Sequence, residues 1–177
     1  MVKSLAEMLI KVKALKFGDF ILSSGKRSNV YVDIKTACTY PDVLKTIAKE
    51  ISKLISDVEF DKIACIELGA VPIAVAVAIE LGKPYVIFRK EKKGYGLGGD
   101  RIGEVKKGER FVIIEDVVTT GKSITSVAKR VENSGGIVKC LVTVVDREEA
   151  SIPNLRSLIK LSDLLKLKDF INSSESN

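Results

Sequence analysis

Four consecutive apolar residues, Phe111 to Ile114, run straight into the carboxylates Glu115 and Asp116, and the chain continues Val117-Val118-Thr119-Thr120-Gly121-Lys122-Ser123. The apolar run has the length and β-branched character of a strand buried on both faces of a parallel sheet, and it is expected to end where the polarity switches. Beyond Gly121, Ile124, Val127, Ala128 and Val131 recur at helical spacing. A strand, a tight loop and a helix start in that order leave free backbone N–H groups at the loop. With them comes the positive end of a helix dipole, about half an elementary charge, so the loop is a cradle for phosphate, with Thr and Ser hydroxyls as further donors. The two carboxylates do not suit that phosphate; they suit a diol, or a cation such as Mg²⁺ held directly or through water beside it.

Two other phosphate motifs are excluded. Gly121-Lys122-Ser123 resembles the end of a P-loop, but the glycine required five residues earlier is Asp116. Gly94, Gly96 and Gly99 satisfy the spacing of a dinucleotide fingerprint, yet Lys90 to Lys93 before them are charged rather than strand-like and no helical pattern follows. The competing account of Phe111 to Ser123 is a solvated strand-to-helix connection without function, which leaves the order of residue types unexplained.

A chain of 177 residues, 46% hydrophobic, is expected to form one domain with a real core. The longest apolar stretch, Val71 to Leu81, is too short for a bilayer and contains Glu80, and the first residues lack a signal-peptide pattern, so a cytoplasmic protein is expected. Three widely separated cysteines, Cys38, Cys65 and Cys140, read as small buried hydrophobes rather than a disulfide or zinc framework. With no histidine in the chain, Ser-His triads, Cys-His pairs and histidine metal sites are excluded. The net charge of +6 fits nucleic acid or a multiply anionic small molecule, but aromatics are only 6% and the basic residues are scattered, which favours the small molecule.

Along the chain, Ser4 and Glu7 read as a capping box for a first helix, Phe17 to Ile34 as a hairpin, and Pro41-Asp42 as the start of a second helix. From there Lys62 to Ile66, Pro84 to Phe88, Arg110 to Ile114 and Ile137 to Val145 read as strands. Helices over Pro72 to Leu81 and after Gly121 separate them. A short strand near Leu158 to Leu161 and a helix capped by Ser162 close the chain. Alternation of this kind predicts an α/β fold with a mostly parallel sheet and a ligand at the carboxyl ends of its strands, which are Glu67-Leu68-Gly69, Arg89, Glu115-Asp116 and Asp146-Arg147. The connection from Lys90 to Gly108 is long, rich in glycine and basic at its start, and reads as a mobile lid for a polyanion.

The run from Phe111 to Ser123 resembles the phosphoribosyl-diphosphate (PRPP) motif of the type I phosphoribosyltransferases. Three further segments resemble orotate phosphoribosyltransferases in particular: Phe17 to Gly25 with Tyr31-Val32-Asp33, Arg89-Lys90-Glu91-Lys92-Lys93 with the glycines after it, and Asp146-Arg147. The resemblance covers nearly the whole chain. It implies a type I phosphoribosyltransferase fold over residues 1–177, with a core sheet over 62–147, a catalytic loop over 90–108, and a hood made by residues 1–36 and the C-terminal part. It further implies Mg²⁺-dependent transfer of the phosphoribosyl group from PRPP to orotate for pyrimidine synthesis, by a homodimer that shares the loop across its interface, with no nucleic-acid or membrane partner. Catalytic roles would fall to Lys93, Glu115 and Asp116. PRPP would be held by Arg89, Lys90, Lys93, Tyr95, Glu115, Asp116, Val117, Val118, Thr119, Thr120, Gly121, Lys122 and Ser123, and orotate by Thr119 and Arg147, with the Mg²⁺ ion held mainly through PRPP and water. The competing account of Arg147 is a surface ion pair with Asp146 or Glu148. The chain departs from the family pattern at Ser23 and Gly69, where lysine is frequent or common, and at Tyr95, where histidine is frequent. Two alternatives are a transcriptional regulator on the same fold and a purine-base phosphoribosyltransferase.

Overall fold

The computed structural model describes residues 2–22, 25–93 and 99–175, with the side chains of residues 2–4, 91–93 and 169–175 outside that set. In chain order the elements are α1 (Val2–Lys11), β1 (Leu15–Ile21), β2 (Arg27–Val32), α2 (Ile34–Ala37), α3 (Pro41–Leu54), β3 (Lys62–Ile66) and α4 (Val71–Leu81). There follow β4 (Tyr85–Lys93), β5 (Gly99–Ile102), β6 (Arg110–Val118), α5 (Lys122–Asn133), β7 (Ile137–Asp146), β8 (Leu155–Lys160) and α6 (Leu161–Glu175). Strands β3 to β8 form one sheet in the order β5-β4-β3-β6-β7-β8, parallel throughout except for the β4–β5 pair. β1 and β2 pair separately as an antiparallel hairpin.

The alternation along β6 shows why its apolar run is continuous. Val112 and Ile114 point into a core shared with Leu5 and Leu9 of α1, Ile47 and Ile51 of α3, and Ile73 and Val77 of α4. Phe111 and Ile113 point the other way, onto Ile124, Val127 and Val131 of α5. Burial of each such side chain contributes about 1.5–3 kcal/mol before the entropy of ordering it is counted. Cys38, Cys65 and Cys140 are free and buried, and burial pushes the Cys38 and Cys65 thiols up to about 12, so they behave as the small hydrophobes expected.

Several boundaries differ from the sequence reading. α1 begins at Val2, so Ser4 lies inside the helix and is not its cap. The last helix likewise starts at Leu161, ahead of Ser162, and the sheet runs on past residue 147 into β8. Lys90 to Lys93 belong to β4, and β5 pairs back onto that strand, so the connection from Lys90 to Gly108 is partly a sheet-edge ribbon. Charged residues are tolerated there because an edge strand meets water, and the same charges that argued against a strand discourage pairing with other chains.

One arginine ties this ribbon to α5. Arg130 donates through Nη1 to the Arg89 carbonyl at 2.8 Å and through Nη2 to the Asp100 carbonyl at 2.6 Å and its Oδ2 at 3.0 Å, with its guanidinium 4.6 Å from the centre of the Phe88 ring. The N-terminal helix and hairpin are held to the far end of the chain, where the Lys168 ammonium sits 3.6 Å from the centre of the Phe17 ring.

Candidate active site

β6 does not stop at Ile114 as its polarity suggested. It continues to Val118 by pairing with β7, Glu115 beside Thr143 and Val118 beside Asp146, whereas its pairing with β3 ends at Cys65 and Ile114. The two central strands therefore part at the acidic pair. This is also where the chain order reverses, β4 lying on one side of β3 and β6 on the other, which is the place where open α/β sheets leave a crevice.

The turn after β3 covers the crevice from one side. It contains a cis peptide between Glu67 and Leu68, and Glu67 Oε1 accepts a hydrogen bond from the Lys90 N–H at 3.0 Å. Gly69 comes so close to Asp116 that a Cβ there would lie 2.7 Å from the carboxyl carbon and would run into Oδ2. No residue with a side chain fits without displacing Asp116.

On the other side, Gly121 sits in the left-handed region at φ 75° and caps α5 without offering a side-chain acceptor, so the first N–H groups of the helix stay available. Lys90, Glu115, Val117, Val118, Thr119, Thr120, Gly121, Lys122 and Ser123 line a cavity of about 190 Å³ at this helix start. A second cavity of about 120 Å³ adjoins it through Val117 and Thr119 and is walled by Asp116, Arg147, Leu22, Tyr31, Val32 and Lys35. Its roof is the β1–β2 hairpin. Tyr31 packs there against Phe20, with the rings tilted by 36° and their centres 5.6 Å apart.

The hairpin is fastened to the sheet by Arg147, whose side chain is only 6% exposed. Its Nη1 donates to the Val30 carbonyl at 3.1 Å, its Nη2 to Ser28 Oγ at 3.0 Å and its Nε to Glu149 Oε1 at 3.0 Å. The acidic partner is thus Glu149, not the expected alternatives Asp146 or Glu148. Glu149 also accepts from Lys26 at 3.1 Å, adding a second tie between hairpin and sheet.

Glu115 is buried, and burial pushes its carboxyl above the ordinary value of 4.5, helped by the neighbouring Asp116. The pair is thereby relieved of a second full charge. Among the described residues, three buried side-chain polar atoms lack a hydrogen-bond partner: Arg89 Nε, Arg89 Nη1 and Glu115 Oε2. Such atoms are rare in folded proteins, and both residues belong to the PRPP set expected from the sequence. The Lys93 side chain and Tyr95 lie outside the described residues.

A raised carboxyl costs stability once the unfolded chain has ionised. The unfolded state loses this proton near pH 4.5 while the folded state keeps it, so stability falls as pH rises through and above that range. Glu115→Gln is therefore expected to be more stable than the parent, with the advantage growing by about 1 kcal/mol or more between pH 5 and pH 8, a shift of about 2–4 °C in Tm. Thermal melts at the two pH values check it; an advantage independent of pH would mean that Glu115 is ionised in the folded chain.

Lys35 was not among the residues expected here. It is carried by α2, a four-residue helix whose cap Asp33 accepts from the Thr36 N–H at 3.1 Å and Thr36 Oγ1 at 2.8 Å. The spacing of Asp33 and Thr36 is a local capping signal that could have revealed it.

Known proteins match this arrangement. The model of the phosphoribosyl transferase domain matches residues 38–169. An orotate phosphoribosyltransferase of Archaeoglobus fulgidus is 58% identical over 173 residues, 98% of this chain and 97% of that protein. Among solved structures, UMP synthase of Leishmania donovani superposes with a TM-score of 0.85 at 32% identity, covering 96% of this chain and 38% of that one. The orotate phosphoribosyltransferase of Mycobacterium tuberculosis H37Rv in complex with PRPP superposes with a TM-score of 0.73 at 27% identity, covering 92% and 98%. With a relative this similar along nearly the whole of both chains, and a fold whose crevice opens at the acidic pair of β6, the chain belongs to the phosphoribosyltransferase family, in its orotate phosphoribosyltransferase branch.

Proposed function

We propose that the chain transfers the phosphoribosyl group of PRPP to orotate, giving orotidine 5′-phosphate and pyrophosphate for pyrimidine synthesis. The observation that carries this reading is the pair of adjoining cavities, one an anion cradle at the start of α5 and the other roofed by the hairpin and walled by Arg147, with the acidic pair of β6 between them. A 5′-phosphate would take the N–H groups and hydroxyls of Thr119 to Ser123. The ribose diol would lie against Glu115 and Asp116, and the orotate carboxylate against Arg147, whose planar fork lysine could not match.

Displacement at the anomeric carbon passes through a cation-like state, so the residues act by orientation and charge placement and no nucleophile is needed. Arg89 and Lys90, with Lys93 from the same strand, would neutralise charge gathering on the leaving pyrophosphate. No group of three His, Cys, Asp or Glu side chains among the described residues is placed to hold a metal. A Mg²⁺ ion would be held as a companion of the diphosphate, with Asp116 as the side chain that could meet its water shell, and it would supply charge neutralisation on the phosphate oxygens. Two-fold assembly is part of the proposal. Leu68, Ile79 and Ile102 are 75%, 77% and 53% exposed, and such apolar residues on the turn after β3, α4 and β5 are the kind a partner subunit covers. A cytoplasmic setting completes it; no helix among the described residues is long and apolar enough to cross a membrane.

The test is loss of orotate absorbance on adding PRPP and Mg²⁺, with uracil, adenine and hypoxanthine as alternative acceptors. Turnover of orotate, with uracil at least about 100-fold poorer for want of a carboxylate, is the expected result. Turnover of a purine instead would assign the purine-base reaction, and salt-dependent DNA binding without turnover would assign the regulator.

A further inference from the structure

Two cations wall the hairpin-roofed cavity, and they differ in circumstance. Arg147 is nearly buried and already holds the hairpin and Glu149. Lys35 is exposed, and its ammonium makes no hydrogen bond or ion pair among the described residues. Its backbone is nonetheless fixed. Ile34 and Ala37 on either side are buried in the core, and Asp33, itself buried, holds the start of α2 while accepting from Lys16 Nζ at 2.6 Å. A lysine that is free at its tip but anchored at its root is placed for a ligand rather than for folding.

Its position says which ligand group. The Lys35 stem runs over the turn after β3, where its Cγ would lie 3.0 Å from a Cβ at Gly69. Gly69 follows β3, Arg147 follows β7, and β6 with Asp116 lies between them in the sheet. A ribose held by the acidic pair thus has Arg147 on its β7 side and Lys35 on its β3 side. The β3 side is also that of β4, with the two unpartnered Arg89 nitrogens and Lys90. If the base lies toward Arg147, the diphosphate leaves toward Lys35.

We propose that Lys35 binds the diphosphate of PRPP, and the pyrophosphate released from it, on the β3 side of the ribose. The inference rests on the reading of the site as a PRPP site and adds a binding residue to it. Lysine suits this task because a diphosphate offers several oxygens around a compact charge and needs no planar fork.

The test compares Lys35→Ala and Lys35→Arg with the parent, varying each substrate in turn and titrating pyrophosphate with Mg²⁺ by calorimetry. Lys35→Ala is expected to raise the KM for PRPP and the Kd for pyrophosphate by about tenfold or more, to leave the orotate KM within about twofold, and to be largely rescued by arginine. An unchanged pyrophosphate Kd, or a rise confined to the orotate KM, overturns the proposal. Because the side chain is exposed, the melting temperature is expected to stay at that of the parent. Should the parent bind pyrophosphate yet transfer nothing to orotate, the assignment of the base falls, and the titration still decides Lys35.

Discussion

Replacing Arg147 with alanine is expected to raise the orotate KM by about 100-fold, the loss of a charge-assisted, two-pronged contact to a carboxylate. The geometry makes this more than removal of a free fork. A guanidinium has five N–H donors. Three of them are taken by Glu149, Val30 and Ser28, and two on the terminal nitrogens are not used by these partners. The same side chain is thus oriented through the hairpin, and under the proposed function it would offer what remains to the ligand. Arg147→Lys keeps the charge without the fork and should recover only part of the loss. Ser28→Ala separates the two roles, since it removes one hairpin tie and leaves the arginine in place. Its orotate KM should stay within about threefold of the parent, in line with the loss of one ordinary hydrogen bond. If Ser28→Ala reproduced the full effect, Arg147 would be acting by holding the roof rather than by meeting the carboxylate.

Gly69→Ala is the second large expectation, a fall in kcat/KM of about 100-fold or more from a single methyl group, on the scale of a reacting group displaced by about 1 Å. The added Cβ would meet the Asp116 carboxylate and the Lys35 stem together, so the ribose contact and the diphosphate contact would both shift. The turn is half-exposed and joins β3 to α4 at the surface, so folding should suffer little. Steady-state kinetics on Gly69→Ala, Asp116→Ala and the double variant test the route of the effect. If the methyl acts through Asp116, the double variant should be no worse than Asp116→Ala alone. Simple additivity would mean that Gly69 matters for another reason.

Much of this architecture was legible in the sequence. The bounds of β3 agree residue for residue with the expected strand because Lys62 to Ile66 is a buried run between polar ends, and the start of α3 follows from Pro41. What escaped depends on partners distant in the chain. Glu115 to Val118 remain a strand because β7 supplies the pairing, and an acidic side chain can be buried in that strand because burial raises the Glu115 carboxyl and favours its neutral form. Lys90 to Lys93 remain a strand because β5 returns along them. Lys35 follows the hairpin so closely that Asp33 and Ile34 read as the end of a strand, and only the position of Gly69, some thirty residues later, brings its stem into the site. The motif that lines the cavity at the start of α5 was written locally; the bounds of the strand that carries it were not.

The parting of β3 from β6 has a further consequence. Beyond Ile114, β6 is no longer flanked on both sides, and part of its backbone between Glu115 and Val118 faces a gap in the middle of the sheet. Elsewhere in proteins such an open edge invites another strand, and chains guard theirs with charge or cover. Here the edge is internal: the turn after β3 closes one side, the hairpin roofs the space, and Glu115 and Val118 are themselves buried. The chain keeps an open strand edge at its centre by covering it with its own turn and hairpin, so that no second chain needs to be kept away.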